Sequence, residues 1–227
     1  MNVTYTCKKG FLTLHTALAA LLLFVAVNTT RASYEAQDGD IIFHRSCSAQ
    51  SGAIAEATNS HYTHVGIIFI ERGREMVYEA SSTVRATPLE SFIRAGDSGH
   101  YVIKRLKNTN KLNVGRLKSE VRAMCGRRYD KYFNWSDSTI YCSELVWKAY
   151  QRACGVELGS LKRMKDFNLG GKLAKDTVKC RYGSKVPLDM KVIAPSDIYS
   201  SRHLETVDSS GGTFSRISSL LGKIVGR

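Results

Sequence analysis

The chain has no internal repeat, no glycine loop of the kind that cradles phosphate and no nucleic-acid recognition motif in its 227 residues. Repeat architectures, phosphate-loop chemistry and sequence reading of nucleic acid are therefore set aside. Acids are scarce, at 20 Asp and Glu against 33 Lys and Arg, which gives a formal net charge of +13 at pH 7. Such a chain suits anionic surroundings, and the partners expected are an acidic membrane or a cell-wall surface, with no nucleic acid. No cysteine stands directly after the apolar N-terminal run, and Cys7 precedes it. A lipid-bearing bacterial leader is thereby excluded.

What is present at the N-terminus is a basic flank, Lys8 and Lys9, then an apolar stretch from Phe11 to Val27 and the small-x-small triplet Thr30-Arg31-Ala32. This reads as a secretory signal over residues 1–32, with export to the periplasm or the outside of the cell. The apolar run is marginal for spanning a bilayer, so an uncleaved membrane anchor is the alternative. In an oxidising compartment Cys47, Cys125, Cys154 and Cys180 make at most two disulfides, with Cys154–Cys180 the preferred pair across a loop-like region. Four free, buried thiols are the other reading.

Cys142 carries the chemistry. It opens the run YCSELVWKAY, in which Leu145, Val146, Ala149, Tyr150 and Ala153 recur at helical spacing and mark a buried stripe. A thiol in the first turn of a helix meets unpartnered N–H groups and the positive end of the macrodipole, and both favour the thiolate. A nucleophilic thiolate needs a base, and His64 opens the strand-like segment HVGIIFI. The segment MVYEA follows after ERGRE, so the two predict an antiparallel hairpin. A loop at 71–72 pairs position 64 with 79. One at 72–73 pairs 64 with 81 and leaves Glu79 diagonal to His64 on the same face. A three-residue loop or a bulge would send Glu79 to the other face.

His44-x-x-Cys47 and His61-x-x-His64 raise a metal site. An offset of three along a strand points side chains to opposite faces, so no metal and no cofactor is expected. His44 and Cys47 instead lie between the strand DIIF and a helix from about Ser48, with Ser46, Ser48 and Gln50 reaching the cleft. Thr87-Pro88-Leu89-Glu90 predicts a capped helix start. Tyr101 to Arg105 reads as a strand, and Leu112 to Met124 as a helix with Val114, Leu117, Val121 and Met124 on one face. Pro187 to Pro195 reads as extended, and Pro195-Ser196-Asp197 as a short terminal helix. One α+β domain over residues 33–201 is large enough for a real core. The tail over 202–227 is read as flexible, with Phe214, Ile217, Leu220, Leu221, Ile224 and Val225 in the pattern of a basic amphipathic helix.

The blocks GDIIFH, SAQSGAIAEATNSHYTHVGIIF, VYEASSTVRATPLESF, GRRYDKYF and YCSELVWKAY, between about Asp38 and Ser201, resemble the YaeF/YiiX family of permuted papain-like amidases, relatives of the NlpC-type cell-wall peptidases. The resemblance implies a circularly permuted papain-like (NlpC-type) fold, an antiparallel sheet packed against helices with the nucleophile at a helix N-terminus. Permutation accounts for a histidine that precedes its cysteine. Carried over by position, the nucleophile falls on Cys142, the base on His64 and the orienting carboxylate on Glu79. The implied reaction is acyl transfer, with the backbone N–H of Cys142 as oxyanion donor and Tyr141, Tyr62 and Ser143 as side-chain candidates at the substrate. Tyr129, Tyr132, Phe133 and Trp135 either wall the cleft or fill the core. The function read from this is an exported cysteine hydrolase, an amidase or peptidase acting on a cell-wall-derived or other small peptide. Its alternatives are a lipid-directed thiol acyltransferase or deacylase, favoured by any hydrophobic acyl channel beside Cys142, and a non-catalytic cell-envelope binding module.

Overall fold

A computed structural model describes residues 34–210. The secretory leader and the amphipathic tail expected from the sequence lie outside the described residues. The compact unit that begins at Ala36 contains, in chain order, β1 (Ile41–Ser46), α1 (Ser51–Thr58), β2 (His64–Glu71), β3 (Arg74–Ala80), β4 (Val84–Pro88), α2 (Leu89–Arg94), β5 (Gly96–Leu106), α3 (Val114–Met124), β6 (Arg128–Tyr129), β7 (Thr139–Ile140), α4 (Cys142–Cys154), β8 (Lys162–Arg163), α5 (Lys172–Tyr182), β9 (Lys191–Val192), α6 (Pro195–Tyr199) and β10 (Leu204–Ser209). Six strands form one antiparallel sheet in the order β10-β5-β1-β2-β3-β4.

Strand alternation divides the sheet's side chains into two sets. Ile41 and Phe43 of β1, Val65, Ile67 and Phe69 of β2 and Tyr78 of β3 share one core with Leu117, Val121 and Met124 of α3 and with Leu145, Val146 and Ala149 of α4. Full burial of each large aliphatic is worth roughly 1.5–3 kcal/mol, so this seam holds α4 on the sheet. The residues of opposite parity, His44, His64 and Glu79, are buried too, and Phe92 of α2 stacks on both histidines.

The β2–β3 hairpin turns at Arg72 and Gly73, whose φ values of 51° and 75° are those of a two-residue type I′ turn. Gly66 consequently pairs with Glu79, and Glu71 with Arg74. This is the register with the loop at 72–73, and it leaves Glu79 diagonal to His64. Gly66 matters here, because a Cβ at that position would collide with a Val77 methyl and come within 2.9 Å of the Tyr78 carbonyl oxygen.

Several expectations are corrected. The helix at 89 is not capped by Thr87: Pro88 occupies the cap with no side-chain bond, and the Thr87 hydroxyl is spent on Glu79. The region between Cys154 and Cys180 is not loop-like, since it contains α5, which packs on α1. No disulfide joins that pair; Cys47, Cys125, Cys142, Cys154 and Cys180 are all free, but Cys47, Cys125 and Cys180 are exposed rather than buried. The extended segment 187–195 shrinks to β9, paired with β8. The sheet also runs past Ser201, because β10 pairs with β5 from Leu204 to Ser209.

Candidate active site

Cys142 is the first residue of α4 and is buried. The helical ladder starts behind it, with the Leu145 N–H bonding the Tyr141 carbonyl at 3.0 Å, so the Cys142 N–H lies ahead of the first intrahelical bond. His64, the first residue of β2, has Nε2 2.6 Å from Glu79 Oε2. A carboxylate only accepts, so Nε2 carries the proton and Nδ1 is the ring nitrogen left over, and Cys142 is near enough to raise the His64 pKa. The second carboxylate oxygen of Glu79 accepts from Thr87 Oγ1 at 2.6 Å, and the Arg85 guanidinium lies 3.6 Å from it.

The electrostatics follow from these contacts. Burial pulls the His64 pKa down, but the hydrogen bonds and charges of Cys142 and Glu79 outweigh it and leave it raised, so the imidazolium is favoured. Burial pushes Glu79 up, and its bonds with His64 and Thr87 reverse that, leaving it lowered and ionised. His44, directly paired with His64 across β1 and β2, has its ring 5.2 Å from the His64 ring and stacked on Phe92 at 4.2 Å. Burial, reinforced by the His64 charge, drops His44 to about 3 and keeps it neutral.

The sequence candidates for side-chain help divide. Ser143 and Tyr141 line the pocket beside Cys142, but Ser143 Oγ donates to the Ile193 carbonyl at 2.7 Å and Tyr141 Oη accepts from the Ile193 N–H at 3.2 Å. Tyr62 is not brought to that pocket; its ring stacks on Tyr199 at 4.3 Å. The groups that share the pocket wall with the thiol are Tyr129, whose pKa Cys142 helps to raise, and Gln50, whose Nε2 donates to Tyr129 Oη at 2.8 Å. Burial holds Tyr129 well above the usual phenol range, so its O–H remains a donor for the sulfur. Gln50 was legible as a cleft residue ahead of α1, whereas nothing in the sequence set Tyr129 apart from the aromatics around it. Of those, Phe133 also lines the pocket, while Trp135 packs edge-on against Trp147.

Under the thiol, the α4 side chains Glu144 and Lys148 form a buried ion pair, Nζ to Oε1 2.7 Å. Glu144 Oε2 accepts from the Tyr141 N–H at 3.3 Å, and Lys148 Nζ reaches the Ser136 carbonyl at 2.6 Å and Asp137 at 3.0 Å. The pair ties the start of α4 to the loop between β6 and β7. Burial, only partly offset by Lys148, pushes Glu144 up to about 7.

The pocket that opens at Cys142 contains about 750 Å³ of space continuous with solvent. Its walls come from α1, α5 and the segment 192–195, and they are overwhelmingly apolar, with Ile54, Phe133, Phe167, Leu169 and Val178 prominent and Arg181 the lone charge. The histidine and cysteine pairs weighed as a metal site do not converge. His61 lies 3.5 Å from Arg45, Cys47 is exposed, and no three His, Cys, Asp or Glu side chains among the described residues are gathered to hold a metal.

Comparison with known proteins gives the chain its relatives and its family. The chain is 36% identical over 196 residues to the uncharacterised protein YiiX of Escherichia coli strain K12, covering 86% of this chain and 97% of that one. It superposes on the crystal structure of the metalloprotein YiiX from Escherichia coli O157:H7 with a TM-score of 0.74 and 37% identity, covering 77% of this chain and 98% of that one. Residues 35–208 match the family of permuted papain-like amidase enzymes, YaeF/YiiX, C92, and the chain belongs to that family.

Proposed function

We propose that this protein is a cysteine amidase in which Cys142 is the nucleophile, His64 the acid and base, and Glu79 the carboxylate that orients and charges the imidazole. The observation that carries this reading is the position of His64, bonded to Glu79 at 2.6 Å and near enough to Cys142, the first residue of a helix, for that thiol to raise its pKa. In the reaction the Cys142 sulfur attacks the amide carbonyl and His64 gives a proton to the departing amine. Water, deprotonated by His64, then releases the acyl group from the thioester. The Cys142 N–H, ahead of the helical ladder, and the Gln50–Tyr129 pair supply donors beside the reacting carbon.

A second reading is favoured by the apolar pocket at Cys142, which suits an acyl chain better than a polar peptide. It is a lipid-directed deacylation or acyl transfer through the same thioester. The Escherichia coli relative is described as a metalloprotein; among this chain's described residues no three His, Cys, Asp or Glu side chains gather to hold a metal, and no step is routed through one. We further propose export, on the basic flank and apolar run of residues 8–27. A secreted form that starts at Ser33 supports it, and an intact N-terminus in the cytoplasm refutes it.

The test is thiol labelling across pH in the wild type, Cys142→Ala and His64→Ala, with the labelled residue mapped by mass spectrometry, followed by hydrolysis of peptide and fatty-acyl amides. Fast labelling at Cys142 that depends on His64, with amide turnover abolished in both variants, supports the amidase. Labelling no faster than at exposed Cys47 refutes it.

A further inference from the structure

The pocket beside Cys142 carries one charge, and that charge has no acid to answer it. Arg181, near the end of α5, donates from one guanidinium nitrogen to Gln50 Oε1 at 2.7 Å, and its plane lies 5.1 Å from the centre of the Phe133 ring. Among the described residues no carboxylate pairs with it, whereas Arg105, Arg122 and Arg152 each hold one. A guanidinium offers five N–H donors in a rigid fork, and one bond to Gln50 leaves most of them unspent against an apolar wall. The side chain is only partly buried, so the fork stays open to an anion that enters the pocket.

Its place is fixed from both ends of α5. Glu56 of α1 accepts from the Ala174 N–H at 3.0 Å, and a Cβ at the cap residue Gly171 would meet the same carboxylate at 2.5 Å. At the other end Arg181 reaches Gln50 and Gln50 reaches Tyr129, and all three line the same pocket as Cys142. The cation is therefore held, through Gln50 and Tyr129, on the wall that also carries the proposed nucleophile.

We infer that Arg181 is the seat for a substrate carboxylate, and that the substrates are amino acids with a free carboxylate, N-acylated by an apolar group that fills the pocket. The inference rests on Cys142 being the nucleophile. The fork of Arg181 takes the carboxylate side-on, Phe133 and Val178 flank the apolar part, and the scissile amide is thereby delivered to the sulfur.

The experiment measures alkylation of Cys142 in the purified protein by N-bromoacetyl-leucine and by its neutral isostere N-bromoacetyl-leucinamide. In each, the sulfur displaces bromide and a thioether forms. Wild type, Arg181→Met and Arg181→Lys are compared as the ratio of the acid's rate to the amide's, with Cys47 as internal reference. The charge of His64 acts alike in all three proteins and cancels in that comparison. The acid reacts faster than the amide in the wild type, the ratio falls about tenfold or more in Arg181→Met, and Arg181→Lys recovers part of it. A ratio near one in the wild type, or one that Arg181→Met leaves unchanged while both rates fall together, overturns the carboxylate seat and makes Arg181 a support for Gln50. Should Cys142 react with neither reagent faster than Cys47, the amidase reading fails and the seat falls with it.

Discussion

Glu79 does its work through both oxygens, one given to His64 and the other to Thr87. Replacing it with glutamine keeps the shape but removes the charge that helps hold the imidazole protonated. In Glu79→Gln the His64 titration, followed by ring NMR, moves to lower pH, and the alkaline limb of amide turnover moves down with it. The rate at neutral pH falls about tenfold or more, since a hydrogen bond to a charged group is worth roughly 1.5–3 kcal/mol. Thr87→Val removes a donor that helps to lower the Glu79 pKa but leaves the carboxylate charge in place, so the His64 titration does not fall as it does in Glu79→Gln. An unshifted His64 titration in Glu79→Gln would remove the carboxylate from the mechanism. None of this division of labour was legible in the sequence beyond the reach of Glu79 to His64. The spacing of Thr87, Pro88 and Glu90 fits a helix cap and the carboxylate network equally well, and only the fold decides between them.

Elements read from strong local patterns stand where the sequence placed them. The stripe Leu145, Val146, Ala149, Tyr150 and Ala153 is buried on α4, and the strand-like segments HVGIIFI and MVYEA are β2 and β3, joined at a glycine. Those missed lack such a signal. In β10, LETVDS, only Leu204 is buried, as befits an edge strand whose outer side meets solvent, so its polar residues read as tail. In α5 only Ala174 is buried, and a run of lysines and arginines hides its inner face. Two measurements probe these assignments. A chain ended at residue 202 exposes β5 and Leu106, and it melts several degrees lower or aggregates, whereas one ended at 210 melts like the full chain. Equal melting of the two would place β10 outside the folded domain. Gly66→Ala, pressed on Val77 and on the Tyr78 backbone, loses about 1–3 kcal/mol in chemical denaturation. A neutral result would mean the hairpin yields at no cost.

At the scale of the whole molecule, acid stability turns on a histidine that takes no part in the proposed chemistry. His44 is held at about 3 in the folded chain and returns to 6.5 on unfolding, so the unfolded state binds the extra proton. Its burden is absent above pH 6.5 and grows as pH falls toward 3, by up to about 1.4 kcal/mol per pH unit. His64 and Glu79 face the same ring. The lowered Glu79 contributes stability that is present above its unfolded value and lost as pH falls through its folded one, so its effect comes at lower pH than the onset of the His44 effect. Urea unfolding of His44→Phe between pH 6.5 and 4 therefore shows a shallower slope than the wild type. Parallel slopes would assign the acid sensitivity elsewhere.

The turn at Arg72 and Gly73 has a further consequence, in time rather than in space. His64 and Glu79 sit on the two arms of a single hairpin, and such units close within about 1–10 μs, long before a distant helix is docked. The N-terminal position of the hairpin also brings it out of the ribosome ahead of α4. The thiol is thus the last member of the proposed triad to arrive, and an immature chain carries the proposed base with nothing to activate. In pulse-labelled hydrogen exchange during refolding, amides of β2 and β3 gain protection before those of α4; the reverse order would mean that the helix, and not the hairpin, sets the site.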